Sequence, residues 1–169
     1  MVSAMRRLFQ FLACTAVGLL WAADPSSADL EKQVAEITAG PQLTVVHFWA
    51  PWCSNCQAEM ASGGWAKFIA ANPDVKFVFL NIWTKGQDPA PKLSAAGLGA
   101  QPNLLLLTHP NQSSKKADRL NSFLGLPLTW IPTTWVFKDG KLFYALNYGE
   151  IRFELLQRCL ADSRDKWEH

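Results

Sequence analysis

The chain has 169 residues, 49% of them hydrophobic and 18% charged, with a net charge of +2. That length allows one domain with a real core, and that balance excludes a disordered chain. A net charge this small offers no electrostatic case for a nucleic-acid partner.

The N-terminus reads as a targeting segment. Arg6 and Arg7 precede an uncharged apolar run from Leu8 to Ala23, which contains Cys14, and Ser26-Ser27-Ala28 then supplies small residues before Asp29. A basic region, an apolar stretch and small residues at a cleavage point form a secretory signal peptide pattern over 1–28. The run is short for a membrane span of about 20 residues. An uncleaved anchor is the alternative, and only then would the chain be held at a membrane. If exported, the mature chain works in the periplasm or another extracytoplasmic space, where dithiol–disulfide chemistry has a role.

A globular domain is expected over 29–169. Leu30, Val34 and Ile37 have helical spacing within Asp29–Ala39, and Gly40-Pro41 ends that helix. Leu43–Ala50 is an apolar run rich in Val, Phe and Trp, the pattern of a strand buried on both faces. Pro51-Trp52-Cys53-Ser54-Asn55-Cys56 follows, then the helix-forming Gln57-Ala58-Glu59-Met60. A Cys-x-x-Cys therefore stands where a central strand ends and a helix begins.

That spacing has a chemical reason. Two thiols three positions apart on a first helical turn share a face and can bridge. Cys53 falls at the helix N-terminus, where free N–H groups and the positive end of the dipole favour a thiolate. Such thiols titrate at roughly 3.5–7.5 rather than near 8.5. Cys53 is then the attacking sulfur, and Cys56, one turn in, resolves the mixed disulfide. Trp52, directly before Cys53, is expected at the rim. Most of the remaining tryptophans read as core.

The helix is expected to continue to Ala71, interrupted at Gly63-Gly64 by a kink or a close approach. Asn72-Pro73-Asp74 is a turn, and Val75–Trp83 a second central strand. An extended connection over about 84–124 follows. Within it Lys92–Ala96 reads as a short helix, Leu104–Leu107 as an extra strand, and Ser114–Leu124 as a helix with a basic face. Two β runs, Ile131–Phe137 and Leu142–Leu146, then flank Asp139-Gly140, a strong hairpin signal. Ile151, Leu155, Leu156, Cys159 and Leu160 give a final amphipathic helix. Cys159 reads as a buried, inert thiol. The order β-α-β, connection, hairpin, helix implies a mixed central sheet flanked by helices, an α/β fold.

The segment from Phe48 to Cys56 resembles the active-site segment of thioredoxin-fold proteins. Ile131-Pro132-Thr133, followed by a strand and Asp139-Gly140, resembles the cis-proline loop and hairpin of that fold. The long middle connection and the export pattern are similar to the TlpA/ResA-type thioredoxins. The resemblance implies that Cys53 is nucleophile and Cys56 resolver. It implies that Pro132 is cis and packed against the pair, and that the backbone at Ile131 binds an extended substrate strand. Where thioredoxins carry a buried Asp, this chain has His47, and the partner Lys on the next strand is replaced by Phe79. His47 is either a proton relay to Cys56 through a water or a neutral core histidine. Ser54-Asn55 replaces the Gly-Pro of ordinary thioredoxins and would tune the redox poise.

The function these residues imply is thiol–disulfide exchange with cysteine-containing exported proteins, in the reducing direction, with apocytochrome cysteines among the candidate substrates. Electrons would come from a membrane thiol reductase. The chain carries no Gly-rich dinucleotide fingerprint, and no cofactor is expected. Two other readings stand beside this one. One is an oxidase or isomerase. The other is a metal-binding module in which Cys53 and Cys56, with Cys159 or a histidine, hold copper or zinc, although a closed zinc site needs four ligands.

Overall fold

The computed structural model describes residues 26–99, 101–147 and 149–165. The expected targeting segment lies outside the described residues except for Ser26, Ser27 and Ala28. Among the described residues, no helix is long and apolar enough to cross a membrane.

Helix α1 spans Ser27–Ala39 and begins two residues before the expected Asp29. The cause is a capping box. Ser26 Oγ accepts from the Asp29 N–H at 3.2 Å, and the Asp29 carboxylate accepts from the Ser26 N–H at 3.2 Å. Strand β1 is Thr44–Trp49, buried along its whole length. Helix α2, Ser54–Ala61, and helix α3, Gly64–Ala71, replace the single expected helix. Both glycines are needed at the break. Gly63 has φ +64°, the left-handed region that favours glycine, and a Cβ on Gly64 would stand 2.3 Å from Cε2 of Phe153.

Strand β2 is Lys76–Asn81, helix α4 is Ala90–Ala95, and strand β3 is Leu104–Thr108. The helix expected over 114–124 is absent. In its place stand a 3₁₀ turn, Lys116–Asp118, and a small hairpin of β4, Ser122–Phe123, with β5, Leu126–Pro127. Tertiary contacts override the helical pattern. Phe123 is buried against Phe48, and the Leu124 N–H donates to Glu31 Oε1 on α1 at 2.5 Å. Strand β6, Thr133–Lys138, and strand β7, Lys141–Asn147, form the expected hairpin. Asp139 and Gly140 have φ of 51° and 76°, the left-handed pair a tight two-residue turn requires. Helix α5, Phe153–Arg164, ends the described chain.

The sheet order is β3-β2-β1-β6-β7. Strands β1, β2 and β3 are parallel, while β6 and β7 run antiparallel to their neighbours. Side chains alternate between two faces. Val45, Trp49, Phe77, Phe79 and Val136 pack on α2, α3 and α5 through Met60, Trp65, Ile69, Leu156 and Leu160. Val46, Phe48, Val78, Leu80 and Trp135 pack on α1 and the small hairpin. The result is three layers with the Cys-x-x-Cys helix over the middle strands.

Gly64→Ala should lower stability by about 1–3 kcal/mol, because the new methyl must displace the Phe153 ring from a packed core. Phe153→Leu in that background should recover part of the loss. Urea denaturation of the oxidised protein measures both.

Candidate active site

The site assembles where β1 and β6 end side by side. Leaving β1, the chain turns through Pro51 and Trp52, and Cys53 becomes the N-cap of α2. Its backbone is extended, and its sulfur accepts from the Cys56 N–H at 3.3 Å. Gln57 ties this turn down by donating to the Pro51 carbonyl at 2.6 Å. No acidic residue stands in the first turn of α2, so nothing there opposes an anionic sulfur. Cys53 and Cys56 are bridged, with Cα atoms 5.2 Å apart. Cys53 is 7% exposed and Cys56 fully buried, which leaves only the first sulfur within reach of another molecule.

The loop before β6 supplies the facing wall. The Ile131–Pro132 bond is cis, and the Ile131 carbonyl oxygen lies 3.7 Å from Cys53 Sγ. Thr133 Oγ1 donates to the Trp130 carbonyl at 2.9 Å and closes the loop on itself. Trp52 is half-buried, and its indole N–H donates to the Trp83 carbonyl at 2.5 Å. Of the residues picked out in the sequence, Trp52, Cys53, Cys56, Ile131 and Pro132 thus converge on one face.

His47 lies beneath them, on β1, fully buried. Its ring is 4.7 Å from that of Trp65 and 4.8 Å from that of Phe79. Nδ1 is 2.9 Å from Thr134 Oγ1. Nε2 is 3.3 Å from Glu59 Oε2, close but not aligned as a hydrogen bond. Burial drives the His47 pKa down to about 3, so the imidazole is neutral.

Glu59 is the residue that sequence reasoning missed. It follows Cys56 by three positions, on the same side of α2, and in the sequence it is one helix former among several. In the fold it is 3% exposed. Oε1 accepts from the Ile151 N–H at 2.5 Å, and Oε2 from the Trp65 indole at 3.3 Å. Burial still dominates and pushes its pKa up to about 7. A carboxyl half-protonated at neutral pH therefore stands one turn from Cys56. The signal was present as an acid at a core-facing position of the Cys-x-x-Cys helix.

Beside Glu59 and Pro132 a cavity of about 280 Å³ opens, walled by Leu146, Gly149, Arg152 and Leu155. Cys159 is buried and unbridged. Among the described residues, no three His, Cys, Asp or Glu side chains are grouped to hold a metal ion.

A bridged Cys-x-x-Cys at a helix N-terminus, beside a cis-proline loop on a mixed five-stranded sheet, defines a thioredoxin-type protein. The thioredoxin-like domain family matches residues 30–164, and the chain belongs to that family. Among solved structures, it is similar to a secreted Mycobacterium tuberculosis disulfide oxidoreductase homologous to E. coli DsbE. Identity is 21% over 75% of this chain and 85% of that one, with a TM-score of 0.52. StoA from Bacillus subtilis is 21% identical over 71% and 83% of the two chains, with a TM-score of 0.51. A DsbF homologue from Corynebacterium diphtheriae is 17% identical over 75% and 74%, with a TM-score of 0.53. No curated protein sequence matches the chain.

The buried pair makes a pH prediction. Unfolded, His47 gains its proton near pH 6.5 and Glu59 loses its own near 4.5; folded, the values are about 3 and about 7. Between pH 4.5 and 6.5 both states hold one proton, on Glu59 when folded and on His47 when unfolded. The pair then adds no slope to stability. Glu59→Gln removes the folded-state proton but not the unfolded one. Relative to the wild type, its stability should rise by about 1.4 kcal/mol per pH unit across that window. Urea denaturation at several pH values checks this, and a pH-independent difference would contradict the assigned states.

Proposed function

We propose that this chain is a thiol–disulfide oxidoreductase that reduces disulfides in exported proteins. The observation that carries the reading is the position of Cys53. Its sulfur caps an acid-free helix N-terminus, is the more exposed of the pair, and stands 3.7 Å from the Ile131 carbonyl. The apolar N-terminal run and the similarity to a secreted DsbE homologue support an extracytoplasmic setting.

In the reduced protein the helix N-terminus stabilises the Cys53 thiolate. The substrate lies extended along the Ile131–Pro132 loop, with its disulfide against Cys53. The Cys53 thiolate attacks one substrate sulfur, a mixed disulfide forms, and the other substrate sulfur leaves as a thiolate and takes a proton from solvent. Cys56 then gives up its proton and attacks Cys53 Sγ. The second substrate sulfur leaves, and the protein departs as the Cys53–Cys56 disulfide. Two electrons have passed to the substrate, and a membrane thiol reductase returns them. Glu59 is the best-suited acceptor for the Cys56 proton, since its pKa lies near 7 while that of His47 lies near 3. His47 is a positioning residue that faces Glu59 and is itself held at Thr134. The TlpA/ResA-type resemblance suggests a role in cytochrome c maturation.

Cys56→Ala should stop after the first exchange and retain its substrate as a mixed disulfide, which non-reducing electrophoresis and mass spectrometry identify. Glu59→Gln should leave the first attack intact and slow resolution about 10²-fold in stopped-flow exchange. A reduction potential near that of thioredoxin, about −270 mV, supports the reducing direction, whereas one near −120 mV reverses it.

A further inference from the structure

Three cations from the connection after β2 gather around the N-terminal end of α2. Lys85 Nζ lies 3.7 Å from the centre of the Trp52 ring. The Arg119 guanidinium carbon lies 5.8 Å from the Trp52 ring and 5.3 Å from that of Trp83. Lys92 Nζ donates to Gln57 Oε1 at 3.3 Å, and Gln57 in turn is bound to Pro51. Lys85 and Lys92 are exposed and Arg119 is half-buried.

The acids nearest these cations in sequence, Asp88 and Asp118, hold other partners. Asp88 accepts from the Ala90 N–H at 2.9 Å, and Asp118 from Ser113 Oγ at 2.7 Å. Among the described residues, the close carboxylate contacts of basic groups are those of His47 with Glu59 and Arg164 with Asp74, and they use none of the three cations. The positive charge at Trp52 and Gln57, which flank Cys53 in the chain, is therefore left for a visitor.

The backbone holds this arrangement at a cost. Trp83 and Lys85 have φ of 51° and 54°, a conformation that side-chain-bearing residues keep only when their surroundings impose it. The imposing contacts are visible. The Trp83 carbonyl accepts from the Trp52 indole, and the Trp83 indole donates to the Leu120 carbonyl at 2.9 Å. Lys85 follows Trp83 by two residues and Arg119 precedes Leu120, so these two indole bonds anchor the backbone next to both cations.

We propose that this cationic rim selects polypeptide substrates whose reactive cysteine is flanked by acidic residues. The proposal rests on the oxidoreductase reading above and names its substrate class. A carboxylate one or two residues from the substrate sulfur meets Lys85 and Arg119 over Trp52 while that sulfur meets Cys53. The same field raises the encounter rate of an acidic segment and disfavours a basic one.

The test compares two peptide disulfides of equal length, one with Asp and Glu beside the disulfide and one with Lys. The reduced full chain should reduce the acidic peptide with a kcat/KM about tenfold higher at low ionic strength. At 1 M salt, where the screening length is about 3 Å, the preference should fall towards unity. A Lys85→Gln, Arg119→Gln variant should bring the two values within about twofold. Equal wild-type rates with exchange intact overturn the proposal and leave the oxidoreductase function standing. A variant that slows both peptides alike and keeps their ratio also overturns it, since the cations then only pack Trp52. The wild-type salt dependence decides the matter if the variant does not fold. Failure to reduce either peptide removes the function and the proposal together.

Discussion

The antiparallel pairing of β1 with β6 is the constraint on which the site depends. In its register Phe48 pairs with Thr133 and His47 with Thr134. Both strands therefore meet their active loops at the same end of the sheet. The Cys53 turn leaves β1 there, and the Ile131–Pro132 loop enters β6 there. A slip of one residue would move every side chain of β1 to the opposite face. His47 would leave Glu59, and Trp49 would leave the helices above the sheet. The two buried faces forbid that slip, so the hydrophobic core and the redox geometry enforce one another.

A second constraint is electrostatic. His47 and Glu59 meet where water is excluded, and a full ion pair there would lose more hydration than it recovers. Below pH 7 the pair instead stays close to neutral, with the proton on the carboxyl. Glu59 retains two donors, the Ile151 N–H and the Trp65 indole, which soften the cost of burying it. Where ordinary thioredoxins set an acid on the strand, this chain sets a histidine there and an acid on the helix. The buried acid of this chain thus stands on the helix, facing the histidine of the strand.

What could be read in advance follows from the range of the forces involved. The central strands announced themselves because Val45, Val46, Phe77 and Val78 are buried whatever surrounds the sheet. The hairpin was readable because Asp139 and Gly140 carry their own conformational preference. The stretch over 114–124 was not, since its shape depends on distant partners. Glu31 holds the Leu124 N–H from α1, and Trp83 holds the Leu120 carbonyl from the end of β2. Glu59 escaped notice for a related reason. A lone acid in a helix is ordinary, and it gains meaning only when β1 brings an imidazole beneath it.

The N-terminal end of α5 touches the Cys-x-x-Cys helix and its continuation at two points. Ile151 donates to Glu59, and the Phe153 ring occupies the gap left by Gly64. These contacts come from late in the chain, whereas the cysteines come early. As the polypeptide is synthesised, the two thiols emerge long before the segment that completes the surroundings of Glu59. Closing the Cys53–Cys56 bridge needs only residues three positions apart, so its geometry is set within the first turn of α2 and does not wait for the late helix.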